Sequence, residues 1–311
     1  MEEAGRLLEE RESYRFYEEQ QEIDKIQSNI IYVEGDGVMV KVVDEANETT
    51  VNMDLSHFLV HTGSQEISKN RFALENKRTF VGENNYQVRR QVQDYLYNHF
   101  EITDETLLVS NSDHGSGYTP YVFEDLAKSL GIKHHEHFWD RYHLYKLIEE
   151  HFKPYSEELS DLVIQAVMQH DRSKLKLAIN TVESLILTED EAEWFGKFAE
   201  RLMRDFKYTK PPQLRGLPTA GIGVMETQHR KLTYRMKRQG RYWSRQGAVT
   251  MSKLILLTYE DQLKELFFGN WRKEYVYYQE LENIPISSYL KEIKKTSDYY
   301  LKGKLHGNYK P

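Results

Sequence analysis

The chain has 311 residues, is 39% hydrophobic and 29% charged, and carries a formal net charge of −7. It contains no cysteine, which excludes disulfides and thiolate metal sites and leaves oxygen and imidazole to hold any cation. No apolar run approaches the roughly 20 residues that cross a bilayer, and the acidic start lacks the basic and apolar regions of a secretory signal, so a soluble, cytoplasmic globule is expected.

Residues 1–28 hold nine Asp/Glu against four Lys/Arg, a net of −5, and read as an exposed, acidic lead-in helix outside the core. A strand is predicted from Asn29 to Val43, where Ile30, Tyr32, Val38, Val40 and Val42 share the parity of Asp36. An acid on an apolar strand face is costly without a metal or a partner. Gly35 and Gly37 flank it, which in a strand signals a bulge or a close approach of backbone or ligand. Glu34 shares the Asp36 face and reads as a rim group. Further strands are predicted at Val51–Thr62 and Lys77–Val81, then a helix over Asn84–Phe100 with Val88, Val92, Tyr95 and Leu96 at helical spacing. A short apolar strand, Thr106–Ser110, leads to Asp113, and a helix from Pro120 to Leu130 is closed by Gly131. A fifth strand, Lys133–Phe138, runs into a helix that begins near Asp140. Three strands followed by alternating helix and strand predict an α/β fold, a mixed five-stranded sheet with helices on both faces.

Residues 147–207 read as wholly helical, with Thr188 and Glu191 forming a capping box. The Pro- and Gly-bearing loop KYTKPPQLRGLPTAGIG then delivers the chain to Glu226. From Glu226 to Tyr259 there are eight Lys/Arg and no second carboxylate. On a helix at roughly 100° per residue, Arg230 and Lys237 project within about 40° of Glu226, placed to hold phosphates. Arg235, Arg238, Arg241 and Arg245 extend the basic surface, Gly240 ends or bends the helix, and Tyr242 and Trp243 offer planes on which an unpaired base can stack. The competing reading is a solvated face paired with acids elsewhere. His134, His135 and His137 with His143 invite a zinc reading, but alternation puts only His135 and His137 on one strand face. Asp140 can also serve simply as a helix cap, and His143 as a core histidine.

Asp36, Asp113 and Glu226 thus fall in a first strand, at the end of a fourth, and at the start of a later helix. That arrangement resembles the RNase H-like DDE transposase fold. The motifs EGDGVMVK, DRYHLYK and METQHRKLTYRMKRQGRYWSRQGA resemble the core of bacterial ISLre-type insertion-sequence transposases, over about residues 29 to 260. The resemblance implies an RNase H-like core with an all-α insertion before the last catalytic helix, and Asp36, Asp113 and Glu226 as the acids that hold Mg²⁺ or Mn²⁺ for DNA cleavage and strand transfer. Asp140 and His143 match the Asp-x-x-His pair of Mutator-like relatives and would stand beside the metal ligands. Arg230, Lys237, Arg238, Arg241 and Arg245 become DNA contacts, the partners become element ends and target DNA, and a homodimer on DNA is implied, with no membrane partner. The expected layout is 1–28 lead-in helix, 29–146 first part of the core, 147–217 helical insertion, 218–259 second part with the catalytic Glu and basic helix, and 260–311 C-terminal helical tail.

The chain departs from the pattern in two places. Ser112-Asp113-His114-Gly115 stands where a Gly-Asp-Gly turn is expected. The long N-terminal DNA-recognition region of full-length relatives is represented only by the acidic helix. These departures keep two alternatives in view: an RNase H-like nuclease without strand transfer, and a catalytically silent, truncated DNA-binding or interaction protein.

Overall fold

The computed structural model describes residues 1–19, 24–44, 49–69, 71–218, 221–237 and 242–282. The chain divides into two units, one spanning Ile23–Asp261 and the other formed by Glu2–Glu22 with Gln262–Pro311. Helix α1 (Glu2–Glu18) opens the chain and belongs to the second unit. In the first unit, β1 (Ile26–Gln27), β2 (Ile30–Asp44), β3 (Thr49–His61), β4 (Gly63–Ser68), β5 (Arg71–Glu75) and β6 (Arg78–Gly82) precede α2 (Asn85–His99). Then come β7 (Phe100–Glu101), β8 (Leu107–Ser112), α3 (Pro120–Ser129) and β9 (His134–Trp139). Four helices follow: α4 (Arg141–Phe152), α5 (Glu157–Gln169), α6 (Arg172–Leu185) and α7 (Glu189–Asp205). Two 3₁₀ turns, Phe206–Thr209 and Pro212–Arg215, lead to α8 (Met225–Met236) and α9 (Arg245–Tyr259).

The main sheet has five strands in the order β6-β3-β2-β8-β9. Strands β6, β3 and β2 pair antiparallel, whereas β2, β8 and β9 pair parallel. The sheet is therefore mixed, as the element order predicts. The odd-numbered side chains of β2, Ile31 and Val33, pack with Phe58, Val88, Val92, Leu96, Leu108 and Phe123 under α2 and α3. The even-numbered ones, Val38, Val40 and Val42, pack with Leu55, Leu232, Met236 and Ile255 under α8 and α9. Both faces are thus covered by helices, and each fully buried Val or Leu contributes roughly 1.5–3 kcal/mol. Asp36 lies on the α8 face.

Local signals explain several boundaries. The Asn84 side chain accepts from Gln87 N at 3.1 Å to start α2, and Asp140 accepts from His143 N at 3.0 Å to start α4. Thr188 accepts from Glu191 N at 3.3 Å, while the Glu191 carboxylate accepts from Leu187 N at 3.4 Å, one residue beyond the N-cap amide that a reciprocal capping box uses. Gly131 has φ 73 and follows α3 in left-handed backbone. The glycines beside Asp36 mark close neighbours instead of a bulge, since β2 pairs with β3 without a register break. A Cβ on Gly35 would lie 2.7 Å from the Phe58 ring, and one on Gly37 would run into the Asp54 carboxylate.

Two expectations are corrected, and a two-stranded β4-β5 sheet is present whose mostly exposed, non-alternating residues carry no strand pattern. Helix α8 ends at Met236 and Lys237 is extended (φ −99, ψ 156), so the helical-wheel placement of Lys237 beside Glu226 does not hold. The N-terminal helix is not a wholly exposed element: Leu7, Leu8 and Tyr14 are buried, and within the second unit Tyr14 stacks near Trp271 of α11 (Trp271–Glu282) at 5.9 Å and donates its hydroxyl to Glu274. Helix α10 (Leu263–Phe268) completes the described part of that unit. Among the described residues no helix is long and apolar enough to cross a membrane.

Candidate active site

Strand register builds the site. Glu34 pairs with Asn111 and Asn111 with Phe138; one residue on, Gly35 pairs with Ser112 and Ser112 with Trp139. The next residues along the three parallel strands are Asp36, Asp113 and Asp140. Three acids, far apart in sequence, therefore stand in one row where β8 and β9 end and β2 continues beside β3. Neighbouring strands are about 4.8 Å apart, so the charges interact. Burial first, then the negative charges of Asp113, Asp140 and Asp54, push the Asp36 carboxyl up to about 8, while a hydrogen bond from Gly37 N at 2.7 Å opposes the rise.

Two imidazoles face Asp36. His143 Nε2 on α4 and His229 Nδ1 on α8 each lie 3.5 Å from Asp36 Oδ2. His229 is buried, and its burial, followed by the charges of His143 and Lys237, lowers it to about 4. It is therefore neutral near pH 7, and its contact with Asp36 is a polar contact, not an ion pair. His57, directly opposite Asp36 on β3, stacks on His229 at 5.2 Å and is held neutral by burial. Asp54, on the same strand, is raised by burial and by Asp113.

The other acids are fixed by neutral partners. Asp140 Oδ2 accepts from Asn111 Nδ2 at 3.1 Å while its Oδ1 caps α4, so the capping role and membership of the acid row coexist. Glu34, 1% exposed, accepts from Gly223 N at 2.6 Å and Met225 N at 2.9 Å. It fastens the start of α8 to the central strand, where a carboxylate suits the positive end of the helix. Burial nevertheless pushes its pKa up to about 8 against the pull of those amides. Glu226 stands exposed in the first turn of α8, one turn ahead of His229. A cleft of about 390 Å³ opens beside the row, lined by Asn111, Asp140, Tyr142, Tyr145, Pro212 and Gly223. A larger one, about 820 Å³, lies between α3 and β9 and contains none of these acids.

The basic residues divide. Arg230 is exposed on α8. Lys237, although off the helix, is near enough for its charge to act on His229. Arg245 pairs with Glu83, so this one follows the solvated-face reading. Arg238 and Arg241 lie outside the described residues, as does Gly240. Trp243 is part of the architecture: its indole donates to Met236 O at 3.1 Å and its backbone bridges β2 through Val43 N at 2.8 Å. His135 and His137 share a face, as alternation requires, and both meet Ser110 Oγ at 2.7 Å.

Sequence reasoning missed His229, Asp54 and His57. His229 follows Glu226 by one helical turn within a quoted motif, a spacing that could have flagged it. Asp54 and His57 became visible only through the β2-β3 register. The all-oxygen row suits a hard divalent cation, which would neutralise the neighbouring negative charges that, after burial, lift Asp36. Among the described residues no group of three or more His, Asp or Glu side chains is gathered closely enough to hold a metal ion.

Comparison with known proteins gives a family. The family model described as "Uncharacterised protein family (UPF0236)" matches residues 3–272. The chain is 30% identical over 244 residues to "UPF0236 protein in vanSb 3'region" of Streptococcus gallolyticus, a match covering 78% of this chain and 52% of that relative. The chain thus spans about half the length of the curated relative it matches. Among solved structures it is similar to a chain of the Drosophila P element transposase strand transfer complex, at 13% identity and a TM-score of 0.23, over 79% of this chain and 68% of that one. A likeness so distant carries no argument.

Proposed function

This chain belongs to the UPF0236 family, and we propose that it is a DDE-type DNA transposase core of RNase H-like fold, cutting and joining phosphodiesters with Mg²⁺ or Mn²⁺. The observation that supports this most is that Asp36 on β2 and Asp113 and Asp140, the residues that follow β8 and β9, come next after the paired residues Gly35, Ser112 and Trp139. Asp36, Asp113 and Glu226 would hold the cation, with Asp140 beside them. A divalent cation bound there supplies Lewis acidity toward the scissile phosphate and lowers the pKa of an attacking water.

The chain's own groups do the positioning. His229 and His143 flank Asp36 Oδ2, and neutral His229 orients that carboxylate without competing for its charge. Asn111 and the His143 amide fix both Asp140 oxygens. Glu34 anchors the first turn of α8, and with it Glu226. Arg230 and Lys237 take the phosphates flanking the cut, and DNA ends and target are the substrates.

A nuclease of the same fold without strand transfer would use the same acids, and joined products from a pre-cut end separate the two. A catalytically silent reading has two observations in its favour, the exposed position of Glu226 and the lack, among the described residues, of three or more His, Asp or Glu gathered to hold a metal. Calorimetric titration with Mn²⁺, together with nicking of supercoiled plasmid, tests the proposal. Binding and nicking that both vanish in Asp36→Ala, and nicking that vanishes with Mn²⁺ binding weakened but measurable in Asp113→Ala, are expected. A folded wild-type chain that binds no Mn²⁺ overturns it.

A further inference from the structure

Strand pairing ends at Ser112, so the sheet itself does not aim Asp113. The next residue, His114, has φ 61, a left-handed conformation that glycine adopts freely and histidine does not. Local bonds shape this turn: Gly115 N donates to Asp113 Oδ1 at 2.8 Å, and Ser112 Oγ donates to Tyr118 O at 2.6 Å. The remaining restraint comes from outside. Arg201, half-buried on α7, donates from Nη2 to His114 O at 3.0 Å and to Asp113 O at 3.4 Å. Its guanidinium also lies 4.9 Å from the centre of the Trp139 ring. The His114 ring stacks on that same indole at 4.5 Å and meets His137 Nε2 at 3.0 Å. Asp205, the last residue of α7, lies 4.0 Å from His114 Nδ1. Trp139 belongs to the core shared by α4, α5, α6 and α7.

We infer that Arg201 is a positioning residue: by holding the Asp113 and His114 carbonyls it fixes the backbone from which the Asp113 carboxylate joins the acid row. This rests on the reading of Asp113 as a metal ligand. The helices between β9 and α8 are then a working part of the site, because one of them carries the clamp. Arginine suits the task, since its planar fork can serve two carbonyls while its face lies over an indole. The histidine in place of the expected glycine is explained too. The turn keeps its left-handed residue because a ring there can be gripped by Trp139 and His137.

The test is Mn²⁺ titration of the full chain as wild type, Arg201→Ala, Arg201→Lys, Asp113→Asn and the Arg201→Ala/Asp113→Asn double variant, with circular dichroism and melting curves alongside. Loss of an outer-shell support typically weakens metal binding by 10- to 100-fold. Arg201→Ala should weaken Mn²⁺ about tenfold, Arg201→Lys should fall between it and wild type, and Arg201→Ala should add nothing in the Asp113→Asn background. A merely structural arginine would weaken both backgrounds alike, and that additive result overturns the inference. So does an unchanged Mn²⁺ affinity in folded Arg201→Ala. If Arg201→Ala does not fold, the lysine variant, alone and with Asp113→Asn, decides by the same criterion. A wild-type chain that binds no Mn²⁺ overturns the metal-site reading itself, and this inference with it.

Discussion

Replacing Asp36 by asparagine should stabilise the metal-free protein, and only at neutral to alkaline pH. Burial and neighbouring acids raise the carboxyl from 3.8 to about 8. The folded state therefore holds the proton more tightly than the unfolded chain between about pH 4 and pH 8. The associated stability is full below the unfolded value and is lost as pH rises through the folded one. At about 1.4 kcal/mol per pH unit the whole window is on the order of 5 kcal/mol, and relaxation of the site would reduce the measurable part to about 2 kcal/mol. Asparagine keeps the shape and removes the charge. In urea or thermal unfolding with EDTA, Asp36→Asn should match wild type within about 1 kcal/mol near pH 5 and exceed it by about 2 kcal/mol near pH 8.5. For a unit of this size that difference is about 5 °C in Tm. Taking the difference between the two proteins cancels the titrating groups whose charges do not act on Asp36, Glu34 among them. Mn²⁺ at 100 times its Kd would add about 2.7 kcal/mol to wild type, and little to the variant. A difference that does not change with pH, or a variant destabilised equally at both ends, would refute the reasoning.

Gly35→Ala should destabilise by about 1–3 kcal/mol in urea unfolding, because its Cβ would meet the buried Phe58 ring at 2.7 Å; a neutral result would show that the ring can move. Asp140→Asn should leave stability within about 0.5 kcal/mol, since asparagine also caps helices, yet weaken Mn²⁺ binding in calorimetry. Asp140→Ala should lose about 1 kcal/mol more through the missing cap, and equal Mn²⁺ affinity in both variants and wild type would remove Asp140 from the cation's neighbourhood. Arg230→Gln should reduce the salt dependence of DNA binding by about one counterion, measured by fluorescence anisotropy, whereas Arg245→Gln should not, its charge being engaged by Glu83. Equal slopes for the two variants would contradict the division.

The five strands of the main sheet and helices α2, α3 and α8 are legible because apolar side chains recur at a period of two along β2 and at helical spacing along α2, whereas α9, which also covers the sheet, is not. Nor is register. The acid row depends on Gly35, Ser112 and Trp139 lying side by side, and no local pattern fixes how parallel strands slide. For the same reason Asp140 was legible as a cap and as a motif residue, but not as a member of the row. Asp54 and His57 were hidden because their partners lie across an antiparallel pair. His114 shows another limit. The resemblance sets a glycine after Asp113; the histidine found there has left-handed backbone, and the side chains that hold its ring come from β9. Helical spacing does not carry past Met236 to Lys237, which is extended.

The most direct test of the central claim is anomalous diffraction from crystals of the chain grown with Mn²⁺. The account predicts a peak within about 2.2 Å of carboxylate oxygens from both Asp36 and Asp113, with Glu226 turned in toward it. A peak that involves neither aspartate, or none in crystals whose wild-type protein is folded and saturated with Mn²⁺, would contradict it.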